Sequence, residues 1–212
     1  MTDPGRRRAA DDPGAPDRRG KRAARERALA ARDALAPAAR TAFSARICAR
    51  AAALPELARA RTVMLFASFR SEVDTGPLID ECRARGIVLA LPRVAGPRLL
   101  EAVLVSDPAV DLTPGTWGIP EPRAGCALAD PRSIDVVFLP GAAFSPAGAR
   151  CGYGGGFYDT FLPRLVAETP RVALAFEAQV LDNVPCEAHD LTVDAIVTEE
   201  RVIRCGAVTG RG

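Results

Sequence analysis

The chain has 212 residues, 48% of them hydrophobic and 25% charged, with a formal net charge of +2. That length suits one large domain, and that apolar share supplies a buried core. The near-neutral balance creates no overall field that demands nucleic acid or an anionic membrane, no apolar run is long enough to span a bilayer, and the opening MTDPGRRRAADDPG lacks the apolar core of a secretory signal.

Residues 1–19 mix Arg, Asp, Pro and Gly without apolar periodicity, and are expected to form a disordered basic tail. KRAARERALAARDAL then reads as helix, rich in Ala, Arg and Leu. Pro37 suits the first turn of a second helix running to about Leu54, which Pro55 closes. TVMLFAS, from Thr62 to Ser68, has strand character. The loop FRSEVD leads to Thr75, an N-cap candidate for a helix ending near Arg85, with Gly86 as its stop. IVLALP and LLEAVLV are further strands, and Pro108 to Pro122 is expected to be loop. IDVVFLP is the clearest buried strand. FYDTFLPRLV reads as a helix that Pro163 kinks or breaks. RVALAF and DAIVT are core strands, with RVIRC as an edge. Strands alternating with helices predict a single three-layer α/β domain with a central mixed, mostly parallel sheet. It is expected over 20–205, with 206–212 as a flexible C-terminus.

The six cysteines form no C-x-x-C pair, so reduced thiols in a cytoplasmic protein are expected. Of the 28 Lys+Arg, Lys21 is the one lysine. On composition alone, chance accounts for that better than a need for a compact ammonium on a flexible stem.

Within GARCGYGGGFYD, four glycines, Gly152, Gly154, Gly155 and Gly156, fall in five positions and are interrupted only by Tyr153. Phe157 stands where a dinucleotide fingerprint needs its third glycine, and the G-K-[ST] of a P-loop is absent. The physical logic of such a run remains: backbone N–H groups can turn inward on an anion. Arg150 beside it offers a bidentate phosphate donor, and Asp159 after it a carboxylate for magnesium. The alternative is a plain surface turn with Tyr158 and Phe161 as core anchors. Lys21 and Arg25, four apart, share one helix face and can clamp phosphates, or form a solvated charged face. Glu72 follows the first strand, where open α/β sheets bind ligands, or is an exposed loop carboxylate. Asp194 opens DAIVT and implies a partner for its charge, or caps the strand. His189, beside Asp190, is either a general base or a structural histidine. Trp117 can stack on a flat ligand or plug the core edge.

Taken together, LPGAAFSPAGARCGYGGGFYDTFL, the Lys21–Arg25 pair, SEVDT, TWGIPEP and VPCEAHDLTVDAIVTEE, in this order, resemble the 5-formyltetrahydrofolate cyclo-ligase family over about residues 21–199. Cys151 replaces a usual leucine and Phe157 a common tyrosine. The resemblance implies ATP-driven conversion of 5-formyltetrahydrofolate to 5,10-methenyltetrahydrofolate by a cytoplasmic monomer that binds neither nucleic acid nor membrane. It assigns ATP to Lys21, Arg25, Arg150, Cys151, Gly152, Tyr153, Gly154, Gly155, Gly156, Phe157 and Tyr158. It assigns folate to Ala67, Glu72, Trp117 and the run from Tyr153 to Phe157, and catalysis to Arg150 and Tyr153. Magnesium would fall to Asp159 and Asp194. Two other readings stand beside it: an ATP-independent enzyme on the same architecture, such as a sugar-phosphate isomerase or CoA-transferase relative, and a binding protein using the arginine tail on nucleic acid.

Overall fold

The computed structural model describes residues 17–187 and 190–206. Residues 1–16 of the expected tail, His189, and 207–212 of the expected C-terminal segment lie outside the described residues. Helix α1 (Arg18–Asp33) begins inside the expected tail, because the Asp17 carboxylate accepts a hydrogen bond from the Gly20 N–H at 2.7 Å and caps it. Helix α2 (Pro37–Ala52) has proline in its first turn as expected. Pro55 does more than end α2: it opens a short further helix, α3 (Pro55–Ala58).

Strand β1 (Thr62–Met64), helix α4 (Gly76–Ala84) and strands β2 (Val88–Gly96) and β3 (Leu99–Val105) follow in the order expected. Gly86 ends α4 in the left-handed region at φ +70, where a side chain is disfavoured. The stretch expected to be loop is more ordered than its prolines and glycines suggested. It contains α5 (Pro108–Asp111) and a hairpin of β4 (Leu112–Pro114) and β5 (Pro120–Pro122). Short edge strands accept proline because few of their N–H groups face a partner.

Strand β6 (Val136–Leu139) is buried throughout. A small antiparallel hairpin, β7 (Ala143–Phe144) and β8 (Arg150–Cys151), comes next and leads straight into the glycines. Helix α6 (Phe157–Phe161) gives way to a 3-10 turn at Leu162–Arg164, where Pro163 breaks the α-helical pattern. Strands β9 (Arg171–Leu174), β10 (Ala195–Val197) and β11 (Val202–Arg204) complete the sheet.

The seven strands lie in the order β11-β10-β9-β6-β1-β2-β3. The pairs β10–β9, β9–β6, β6–β1 and β1–β2 are parallel, while β11 and β3 close the two edges antiparallel. Side-chain alternation divides the core in two. Val63, Val136, Phe138, Val172 and Val197 face α2 and α4, while Met64, Val137, Leu139, Ala173 and Ile196 face α6. Helix α1 packs separately, with Ala28 in a small cluster with Ala143, Ala149 and Cys151 of the β7–β8 hairpin.

Chain order reverses between β1 and β6, which are adjacent: β1 leads to β2 on one side and β6 to β9 on the other. The loops beyond their carboxyl ends therefore diverge and leave a crevice, the usual ligand position in an open α/β sheet. Replacing the fully buried Phe138 by alanine is expected to cost about 3–5 kcal/mol. Asp17→Ala, which removes only a cap, should cost about 1 kcal/mol. Urea unfolding midpoints with unchanged m-values would check both.

Candidate active site

Two basic side chains of α1, Arg25 and Arg32, contact the glycine run, and a third, Lys21, lies on the same helix face. Lys21, Arg25 and Arg32 follow spacings of four and seven with the buried Ala28 between, and so share one helix face. Arg25 donates through Nε to the Gly152 carbonyl at 2.8 Å. Lys21 Nζ lies 2.5 Å from Asp190 Oδ2 and 3.0 Å from Glu187 Oε1. Burial lowers the Lys21 ammonium, but its bonds to Asp190 and Glu187 outweigh that and hold it above its ordinary value.

Arg32, which sequence reasoning missed, is 4% exposed. Its Nη1 donates to the Tyr153 hydroxyl at 2.7 Å, and its guanidinium carbon lies 5.8 Å from the Tyr153 ring centre. The same hydroxyl lies 3.4 Å from the carbonyl of Gly141, just past β6. Extending the Lys21–Arg25 spacing by two turns would have found Arg32, since period 3.6 carries the face onward.

Glu72, in the loop after β1, is not the exposed carboxylate of the alternative reading. Its Oε2 accepts the Phe69 N–H at 3.0 Å. Burial pushes its carboxyl above the usual range, opposed by Tyr153, the Phe69 N–H and Arg32. Burial, and then the Glu72 charge, also push the Tyr153 hydroxyl up, while Arg32 acts the other way. Loops after β1 and β6 thus meet through Glu72, Tyr153 and Gly141, and α1 covers them with Arg32.

The glycine run turns from β8 into α6. Gly156 has φ +68, and a Cβ there would lie 2.7 Å from the Arg98 guanidinium. The guanidinium could move aside, but the left-handed backbone is one that glycine alone adopts readily. Phe157 meets the 67%-exposed Trp117 edge-on, with ring centres 6.0 Å apart. Trp117 is therefore no plug over the core edge, and it stands in a left-handed conformation at φ +58.

Arg150 is turned inward, with its side chain 5% exposed. Its Nη2 pairs with Asp159 Oδ1 at 2.8 Å, its guanidinium lies 5.7 Å from the Tyr158 ring centre, and its buried Nε has no hydrogen-bond partner among the described residues. Tyr158 is itself pushed up by burial. Cys151 is buried under α1, its thiol 3.6 Å from the Lys21 carbonyl. Ala67 lines a different concavity of about 380 Å³, between α4 and the segment from Asp107 to Pro120. Asp194 lies before β10, where its Oδ2 accepts the Arg171 N–H at 2.8 Å. Among the described residues no group of three His, Cys, Asp or Glu gathers as a metal cluster.

A carboxyl raised by burial works against folding once ionised. Its contribution is fully favourable below the unfolded-state value of about 4.3 and is lost as pH rises through the higher folded-state value. Glu72→Gln should therefore be more stable than the unaltered chain at neutral pH, with the gap closing on acidification. Denaturant unfolding of both proteins from acid to neutral pH would check this.

Residues 17–199 match the model of the 5-formyltetrahydrofolate cyclo-ligase family. The chain is 33% identical over 177 residues to the Escherichia coli K12 5-formyltetrahydrofolate cyclo-ligase, covering 81% of this chain and 96% of that protein. It is 30% identical over 172 residues to a probable 5-formyltetrahydrofolate cyclo-ligase of Schizosaccharomyces pombe, covering 74% and 84%. The solution structure of Aquifex aeolicus 5,10-methenyltetrahydrofolate synthetase superposes with a TM-score of 0.78 at 33% identity, over 91% of this chain and 95% of the other. With its sheet order, its glycine run and its α1 cations in place, the chain belongs to the 5-formyltetrahydrofolate cyclo-ligase family.

Proposed function

We propose that this enzyme closes 5-formyltetrahydrofolate to 5,10-methenyltetrahydrofolate at the cost of ATP, releasing ADP and phosphate. The observation that carries the reading is the contact of Arg25 and Arg32 with the glycine run, beside the desolvated Glu72 carboxyl and Tyr153 hydroxyl. In the reaction the formyl oxygen attacks the γ-phosphorus and ADP leaves. The neighbouring folate amine then attacks the activated carbon, the carbon–oxygen bond breaks, phosphate departs and the amine proton is lost. Amide-like oxygen leaves poorly and phosphate leaves well, so the protein's task is positioning and charge stabilisation.

Lys21 and Arg25 supply positive charge at the rim of the run, whose backbone follows the phosphates. Lys21 would exchange its contacts with Glu187 and Asp190 for phosphate oxygens. Arg150, held inside, orients Asp159. Trp117, Phe157 and the half-exposed Tyr153 offer flat apolar faces for the folate ring, and Glu72 accepts hydrogen bonds from its donors.

The donor set fits a magnesium ion that arrives with the nucleotide. Asp159 is partly exposed and its second carboxylate oxygen has no partner among the described residues. Magnesium commonly takes one or two carboxylates and completes its shell with phosphate and water. When bound it would neutralise phosphate charge. Asp159 would hold it directly, and Asp194, already engaged on the Arg171 N–H, would act more remotely.

The test is the absorbance of methenyltetrahydrofolate appearing from 5-formyltetrahydrofolate, with product expected only when ATP and magnesium are both present. Lys21→Ala should raise the KM for ATP about 10- to 100-fold, the worth of one charge-assisted bond. Lys21→Arg should also impair, since a planar fork does not replace an ammonium. Unaltered ATP kinetics in both would remove Lys21 from the site. Asp159→Asn should shift the magnesium dependence of the initial rate upward, and Asp194→Asn should do so more mildly. If both carboxylates only cap, asparagine serves as well and both titrations will overlay the wild-type curve.

A further inference from the structure

We propose that Arg32 is a positioning residue for the folate half of the site: it fixes the Tyr153 ring and supplies the counter-charge to the Glu72 carboxylate. This rests on the reading that Glu72 and Tyr153 contact folate. A guanidinium buried to 4% exposure needs compensation. Its one ion pair among the described residues, Nε to Asp33 Oδ1, is long at 3.4 Å. Asp33 is moreover shared, because it accepts a hydrogen bond from Ser71. The rest of the compensation comes from the Tyr153 hydroxyl and ring, and from Glu72 beyond them.

The groups facing Glu72 come from separate elements. Arg32 reaches it from α1, Tyr153 from the glycine run, Tyr158 from α6, and the Phe69 N–H from its own loop. Arg32 is the only cation among them, since Arg150 is engaged on Asp159 and acts on Tyr158. Tyr153 is divided in use. Its hydroxyl is tied inward to Arg32 and Gly141, yet the residue is 46% exposed. A ring anchored by its polar end presents a face whose angle is fixed before any ligand arrives, and such preorganisation lowers the cost of binding.

The experiment has two arms. In the first, the Glu72 carboxyl is titrated by 13C NMR in full-length protein labelled at glutamate, its signal identified by loss in Glu72→Gln. Arg32→Leu should move the Glu72 midpoint further up, as removal of a nearby opposite charge does. Arg32→Lys should leave it near the wild-type position. In the second arm, Arg32→Leu and Tyr153→Phe should each raise the KM for 5-formyltetrahydrofolate about tenfold, with the KM for ATP little changed. The double variant should be no worse than Arg32→Leu alone, because contacting residues are not additive. An unmoved Glu72 midpoint in Arg32→Leu, or folate and ATP constants rising together, would overturn the proposal. Should Arg32→Leu fail to fold, Tyr153→Phe and Arg32→Lys carry both arms. A wild type that forms no methenyl product overturns the functional reading, whereas the titration by itself decides whether Arg32 is coupled to Glu72.

Discussion

The seating of α1 on the β7–β8 hairpin is the contact on which the site depends. It is made through Ala28, fully buried against Ala143, Ala149 and Cys151. Small residues on both sides let the helix backbone come close to the hairpin. Arg25 and Arg32 then reach the glycine run from the same rigid face that carries Lys21. A bulkier residue at position 28 would lift all three cations together. The hairpin is in turn pinned at both ends. Its tip accepts the Val193 N–H on the Gly148 carbonyl at 2.9 Å, and its last residue, Cys151, leads directly into Gly152.

Charge is arranged by depth. At the rim, Lys21 is balanced by two carboxylates, Glu187 and Asp190. Deeper in, Arg32, Tyr153 and Glu72 form a network in which each polar group is partly desolvated. Buried networks of this kind stabilise only when every member is satisfied. Burial at Glu72 works against the ionised carboxylate, so the fold alone favours the protonated form.

The sheet was legible because its strands are short apolar runs bounded by turn residues. The β6 and β9 segments announce themselves in IDVVFLP and RVALAF. The α1 boundary was less so, since Arg18 and Arg19 carry no apolar signal and the helix start rests on the Asp17 cap. The β4–β5 hairpin was hidden under a composition that normally marks loops, and the β7–β8 hairpin was too short to show a period. Within the site, the glycine run, Glu72 and the Lys21–Arg25 spacing could be read directly. Helix period places Arg32 on the Lys21–Arg25 face, but its burial is set by Tyr153, 121 positions away, and that no local pattern could show. The inward turn of Arg150 was equally invisible, being fixed by its pairing with Asp159 across the run.

Trp117 is the only tryptophan in the chain, and it touches Phe157 at the end of the glycine run while standing 67% exposed. An indole in that position is bathed in water, and any flat ligand laid against it changes its surroundings at once. Nature has thereby placed a single optical reporter at the mouth of the crevice. The intrinsic emission of this protein therefore watches one place, the seam where the β4–β5 hairpin meets the glycine run.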